Sequence, residues 1–305
     1  MQVNLYMQDS KMRKFLIKTI IFISLIFSID FILGISLDFL RNSAQGGSFG
    51  KLNFICKSSD KDILIFGSSR AHYHYNSQII EDKLNMSCFN YGEDGMGIIY
   101  FHGLYQIIRK FYKPKTIIYD IHTECDILKE DKTRFIAPLR PYFKDIGYNF
   151  FADIDPNDKY KNISYIYRYN SRFEDLLIGI RDSYQLQNMG YKAIDGIYIN
   201  KPHRKEKENI DQLKLLYLEK FIQLCQSDGI KLFFVTSPRY EANPTLVHNP
   251  VLNLCNKYNI PYLNYYSNNE ISNNSLYFAD EYHLNRKGST LYSKFIADTL
   301  KRYLN

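Results

Sequence analysis

At 305 residues, with 45% apolar and 23% charged side chains, the chain has a globular composition and enough length for one large or two ordinary domains. A formal charge of +7 is modest for that size and its basic residues are scattered, which excludes nucleic acid as the default partner. The five cysteines are odd in number, widely spaced and without a C-x-x-C pair, so they indicate neither a zinc knuckle nor a disulfide framework and read as buried small hydrophobes.

The first element is an apolar run. Residues 19–37, TIIFISLIFSIDFILGISL, form a helix that spans roughly the 30 Å of a bilayer core at about 1.5 Å per residue. Asp30 opposes insertion at about 3 kcal/mol, whereas the Ile, Leu and Phe side chains together favour it by roughly 6, so insertion wins. Lys11, Arg13, Lys14 and Lys18 precede the run. The positive-inside rule keeps residues 1–14 in the cytoplasm and places everything after the anchor (15–37) on the outer side of the cytoplasmic membrane. A cleaved signal peptide is the rival reading, but GISLDFLRNSAQGG lacks a clear small-x-small site. Residues 38–58, which contain the Gly-, Ser- and Asn-rich RNSAQGGSFGKLN, read as a stalk.

The exported part, 59–305, alternates strands and helices. Residues 63–66 are a short apolar run closed by Gly67-Ser68-Ser69, as in a buried strand ending in a tight turn. A helix over 76–84 leads to a second strand in MSCFNYG, and a helix over 98–111 leads past Pro114 to a third strand in KTIIYDI. After an interruption come a helix over 210–225 closed by Gly229, the strand KLFFVTSP, a helix over 246–258, the short strand PYLNY and a closing helix over 286–303. The pattern predicts an α/β fold, a parallel sheet covered by helices on both faces, with ligands at the carboxyl ends of the strands. The interruption, about 128–207, is rich in Tyr, Asn, Asp and Arg with weak periodicity, and reads as an insertion: a substrate-binding cap or a plain surface excursion.

Two short stretches carry chemistry. A serine hydroxyl attacks an ester only when a base takes its proton and a third group orients that base. Ser69 stands at a strand-to-helix turn where Gly67 permits the bend. Near the other end, Asp280 and His283 form the chain's one Asp-x-x-His, a spacing that lets the carboxylate hold the imidazole. Taken alone, Asp280 and His283 read as a helix-capping Asp beside an ordinary surface histidine.

ILIFGSSR, FNYGEDG, a strand after KPK, and FADEYHLNRKG before a terminal helix resemble the SGNH (GDSL-like) hydrolase superfamily in order, spacing and position. That resemblance implies a three-layer α/β/α sandwich. It implies Ser69 as nucleophile, His283 and Asp280 as base and orienter, and the backbone N–H groups of Ser69 and Gly95 as an oxyanion hole. One block departs from the pattern: where the family offers Gly-x-Asn-Asp this chain reads DIHTECD, with Glu124 near the asparagine position, so Thr123, His122 or Arg70 is expected to supply the missing donor.

The implied activity is ester hydrolysis or O-acyl transfer without metal or cofactor. The anchor points to acylated glycans of the cell envelope as substrate and, for a transferase, to a membrane partner that delivers acyl groups. Two other readings stay open: an inactive envelope scaffold that binds glycan, and a metal site built from His72, His74, Asp120 and His122.

Overall fold

The computed structural model describes residues 2–58, 60–170, 172–181, 188–199, 209–242 and 248–304. Parts of the expected insertion (182–187 and 200–207) and the expected start of the helix over 246–258 lie outside the described residues.

Five strands, β1 (Ile63–Gly67), β2 (Cys88–Asn90), β3 (Thr116–Asp120), β4 (Lys231–Thr236) and β5 (Tyr262–Asn264), form one sheet in the order β2-β1-β3-β4-β5. Every pairing is parallel, and β1 joins β3 from Ile63↔Thr116 to Gly67↔Asp120. The strands are continuous apolar runs because both faces are buried. Leu64, Phe66, Tyr119 and Phe234 point into one core, while Ile63, Ile65, Ile118 and Phe233 point into the other. The α/β class expected from the alternation is therefore the observed one.

On the first face lie α2 (Gly47–Ser58), α5 (Ile98–Ile108), α7 (Gln212–Ser227) and α8 (Asn249–Tyr258); on the second lie α3 (Ser69–His74), α4 (Ser77–Leu84) and α9 (Arg286–Leu304). Local chemistry sets the ends. Asn76 and Asp211 cap α4 and α7 by accepting from Gln78 and Leu213 N–H, and α4 stops at Asn85 in the left-handed conformation. Helix α5 ends at Ile108, before Pro114 is reached.

The stalk is a correction. The first helix, α1 (Gln2–Ser43), runs through the expected anchor and beyond it, and residues 47–58 are helical, with Phe49, Leu52 and Ile55 in the core. These apolar side chains recur at spacings of three, one face of a helix, which the Gly- and Ser-rich opening of the stretch obscured. Residues 11–43 are the one described helix long and apolar enough to cross a membrane, and the most apolar window within them is almost wholly exposed.

The insertion breaks into short helices, of which α6 (Phe173–Arg181) is the longest described, and its parts do different things. Residues 133–168 lie against α5 and α1, whereas 188–199 run beside α3 and the loop before α9: Lys192 N–H donates to His72 O, and Arg286 N–H to Ile194 O.

Candidate active site

Strand β1 is an interior strand, and the chain passes from it to β2 on one side and then crosses back to β3 on the other, so a crevice opens at its carboxyl end. Gly67 closes the strand at φ 137°, and a Cβ there would come within 2.7 Å of Asp120 O and 2.9 Å of Ala71 Cβ. The bend puts Ser69 at the first position of α3, with Ser68 in extended geometry before it.

The other half of the site is the loop from Phe278 to Leu284, which is closed by an antiparallel bridge between those residues. One Asp280 carboxylate oxygen accepts from the backbone N–H groups of Tyr282 (2.8 Å) and His283 (2.9 Å). The other lies 2.8 Å from His283 Nδ1, and His283 Nε2 lies 2.7 Å from Ser69 Oγ. The capping and orienting readings of Asp280 are thus one structure, because the turn that the carboxylate caps is what brings the imidazole round to it. Burial pushes the Asp280 carboxyl up, but the His283 hydrogen bond and charge and the two backbone N–H groups outweigh it and hold the pKa below the ordinary value. Tyr73 packs edge-on against the His283 ring at 5.2 Å.

His74 braces this loop. Fully buried, it accepts from Leu284 N–H at Nε2 (2.9 Å) and meets Ser237 Oγ at Nδ1 (2.9 Å), which requires the neutral Nδ1–H tautomer. Burial, then the nearby His283 and Arg70, push its pKa well below that of a free histidine. From the sequence His72 and His74 look like polar loop residues. Their alternation was visible, but not that α3 turns one of them against the loop that carries His283.

The FNYGEDG block is tied to α3 in the same way. His72 Nδ1 donates to Asp94 at 2.9 Å, Tyr73 OH donates to the second oxygen, and the neighbouring Glu93 accepts from Ser48 Oγ (2.7 Å). Buried Lys51 donates to Gly92 O at 2.8 Å, so α2 supports this loop. Burial raises the Asp94 pKa, but the His72 and Tyr73 bonds more than offset it and bring it down to about 2. Gly95 follows at φ 72°, facing open space with only Arg134 near.

Between these parts lies a cleft of about 430 Å³ lined by Ser68, Ser69, Gly95, His122, Glu124, Cys125, Tyr282 and His283, with Leu128, Lys129, Glu130 and Arg134 from the start of the insertion as one wall. Burial pushes the Cys125 thiol up to about 12, so this second potential nucleophile in the cleft stays protonated.

No known protein family matches the chain, and no curated protein does. Among solved structures it is similar to a Bacteroides fragilis protein assigned as an acylhydrolase (12% identity, TM-score 0.43, covering 82% of this chain and 90% of that one). It is similar to a Desulfitobacterium hafniense protein assigned to the lipolytic G-D-S-L family (8%, TM-score 0.40, 78% and 99%). It is also similar to an acetyl xylan esterase (12%, TM-score 0.41, 80% and 100%).

The stretch after β3 sorts the candidates for the missing donor. Arg70 is turned into the core, donating to Ile121 O and Ser237 O with Asp120 3.6 Å away. Thr123 Oγ1 is engaged by His248 Nε2 at 3.1 Å. His122 lines the cleft. Its Nδ1 accepts from Cys125 N–H (3.4 Å), and burial, then the charges of Arg70 and His283, push its pKa well down, so the ring is neutral and carries its proton on Nε2. Glu124 is exposed at the rim. The turn is stapled by buried Asp126, which accepts from Ile98 N–H (2.6 Å), His122 N–H (2.6 Å) and Tyr119 OH (2.7 Å), a role the sequence did not signal.

The proposed metal ligands are not gathered: His72 is held by Asp94, His74 by Ser237 and Leu284, and Asp120 faces Arg70 and Ser237 N–H. Among the described residues no group of three or more His, Cys, Asp or Glu side chains is arranged to hold a metal ion.

Proposed function

We propose that this chain is a membrane-anchored, serine-dependent hydrolase or transferase of acyl esters, of the SGNH type, with Ser69, His283 and Asp280 as its catalytic residues. The observation that carries this reading is the continuous chain of hydrogen-bond distances, 2.7 Å from Ser69 Oγ to His283 Nε2 and 2.8 Å from His283 Nδ1 to Asp280. Three groups from opposite ends of the sequence meet in the order that proton transfer requires, at the mouth of a cleft.

In the proposed reaction Asp280 accepts from Nδ1–H and so leaves Nε2 unprotonated toward Ser69. The hydroxyl adds to the ester carbonyl while its proton passes to His283. The tetrahedral oxyanion is met by the Ser69 and Gly95 N–H groups and by His122 Nε2–H, taking the place of the asparagine amide. As the C–O bond to the leaving alcohol breaks, His283 returns the proton to that oxygen. Water, or an acceptor hydroxyl, then attacks the acyl-serine with His283 again as base, releasing the acid or the transferred ester.

The anchor supports envelope substrates on the outer side of the cytoplasmic membrane, O-acetyl groups of glycans first, and leaves a membrane donor of acyl groups as the partner of a transferase. A fluorophosphonate probe tests the core of the reading: it should label the full-length protein and fail to label Ser69→Ala. Equal labelling of the folded Ser69→Ala variant would refute it. Acetate released from an acetylated glycan, against label transferred to a glycan acceptor, divides hydrolase from transferase.

A further inference from the structure

The apolar run of α1 and the insertion meet at a depth that neither explains alone. Asp30 sits in mid-run, yet its carboxylate accepts from Ser164 Oγ (2.7 Å), Tyr165 N–H (2.8 Å) and Ile166 N–H (3.0 Å), capping the short helix Tyr165–Arg168 from outside. Phe31 meets the Tyr165 ring edge-on at 5.7 Å, and a Cβ on Gly34 would overlap the Tyr165 side chain. Further along, Asp38 accepts from Tyr169 OH, and Arg41 Nη1 donates to Pro141 O at 2.5 Å. One side of α1 is therefore covered by the insertion from Asp30 onward. On the uncovered side Ile32, Ile35 and Phe39 remain exposed.

Lengths decide what this means. Between Lys14 and Asp30 lie 15 residues (15–29), roughly 22 Å of helix at about 1.5 Å per residue, with Lys18 able to snorkel toward its own end. A bilayer core needs about 30 Å, so roughly 8 Å must come from the stretch after Asp30, where the insertion is already packed on the helix. The surface carried to that depth is fitted to it. Tyr160 is 64% exposed, Ile163 63% and Ile166 37%, and cations border them: Lys159 lies over the Tyr160 ring, Lys161 ends the same turn, and Lys144 donates to Tyr165 OH. Apolar tips among tyrosines and lysines suit the boundary between acyl chains and anionic headgroups, which covers such surfaces to a depth of about 5–10 Å.

We propose that the segment from Tyr160 to Ile166 is a membrane-contact surface, held against the anchor by Asp30 and seated in the lipid headgroup boundary, so that the domain rests on the bilayer at a fixed height. This rests on the anchor reading of α1, and the test separates the two. Because the chain contains no tryptophan, each single Trp variant carries one reporter. Full-length Ile163→Trp, Ile166→Trp, Phe22→Trp in the anchor and Leu291→Trp on α9, across the sheet, are each reconstituted in phosphatidylethanolamine and phosphatidylglycerol vesicles with and without brominated acyl chains. Emission from Ile163→Trp and Ile166→Trp should be blue-shifted and quenched severalfold more than from Leu291→Trp. If Phe22→Trp is quenched while both insertion reporters behave like Leu291→Trp, the contact surface is refuted and the anchor stands. If Phe22→Trp is itself unquenched, the anchor reading fails and takes the proposal with it.

Discussion

Replacing Asp280 by asparagine separates its two tasks. The asparagine oxygen can keep the bonds from Tyr282 N–H and His283 N–H, 2.8 and 2.9 Å in the parent, so the turn survives. Its amide then faces His283 Nδ1, 2.8 Å from the oxygen it replaces. Two N–H groups cannot point at each other, so the ring moves its proton to Nε2, the nitrogen that must accept from Ser69 Oγ at 2.7 Å. A base presented in the wrong tautomer costs about 10⁴ in turnover, or roughly 5.4 kcal/mol of barrier at about 1.36 per decade. Folding exchanges one charge-assisted hydrogen bond for a neutral one at a half-exposed position and falls by no more than roughly 2 kcal/mol. Ester hydrolysis, measured as kcat and KM on p-nitrophenyl acetate beside thermal unfolding of the same protein, checks both numbers. An Asp280→Asn variant that folds and turns over within an order of magnitude of the parent would refute the reasoning.

Other outcomes follow from the same geometry. His74→Leu removes the acceptor of Leu284 N–H and should lower kcat by roughly 10- to 100-fold, the effect of about 1–3 kcal/mol from one unsatisfied buried donor, and His74→Gln, which can accept there, should recover part of the loss. His122→Ala should cost about 10² in kcat as one oxyanion donor is lost, whereas Glu124→Gln at the exposed rim should leave kcat within a few-fold, and the reverse ranking would sink the donor assignment. Stability should fall as pH drops below about 6.5. Burial keeps His74 neutral, and burial together with nearby cations brings His102 and His248 down to about 4, so the unfolded chain takes up these protons first, each at about 1.4 kcal/mol per pH unit. Asp126 opposes this with one proton. Burial raises it to about 6, so the folded form binds that proton before the unfolded form does and gains stability as pH falls through the window between about 6 and 4. Thermal melts against pH should show a net loss, and a smaller one in His248→Gln.

The alternation of apolar runs and helical spacing was enough to foresee the parallel sheet, because strands buried on both faces have to be written as unbroken Ile, Leu, Val and Phe. Ser69, Asp280 and His283 were legible for a related reason: each lies in a block whose neighbours mark a turn, Gly67 before the serine and Asn285 and Gly288 after the histidine. Spacing along the chain says nothing about distance through space, so it could not decide which of Arg70, Thr123 and His122 faces the cleft. Burial and the demand that each buried donor find an acceptor decided it, turning Arg70 to Ile121 O and Thr123 to His248. Asp30 is the sharpest case. By composition it is a charge misplaced in an apolar helix, whereas three donors 134 to 136 residues away make it a cap. What the sequence by itself determined was local, namely the elements, their faces and the residue types able to do chemistry. What only the tertiary structure decided was pairing, because a polar group's role depends on the partner that shares its burial, and that partner lies far along the chain.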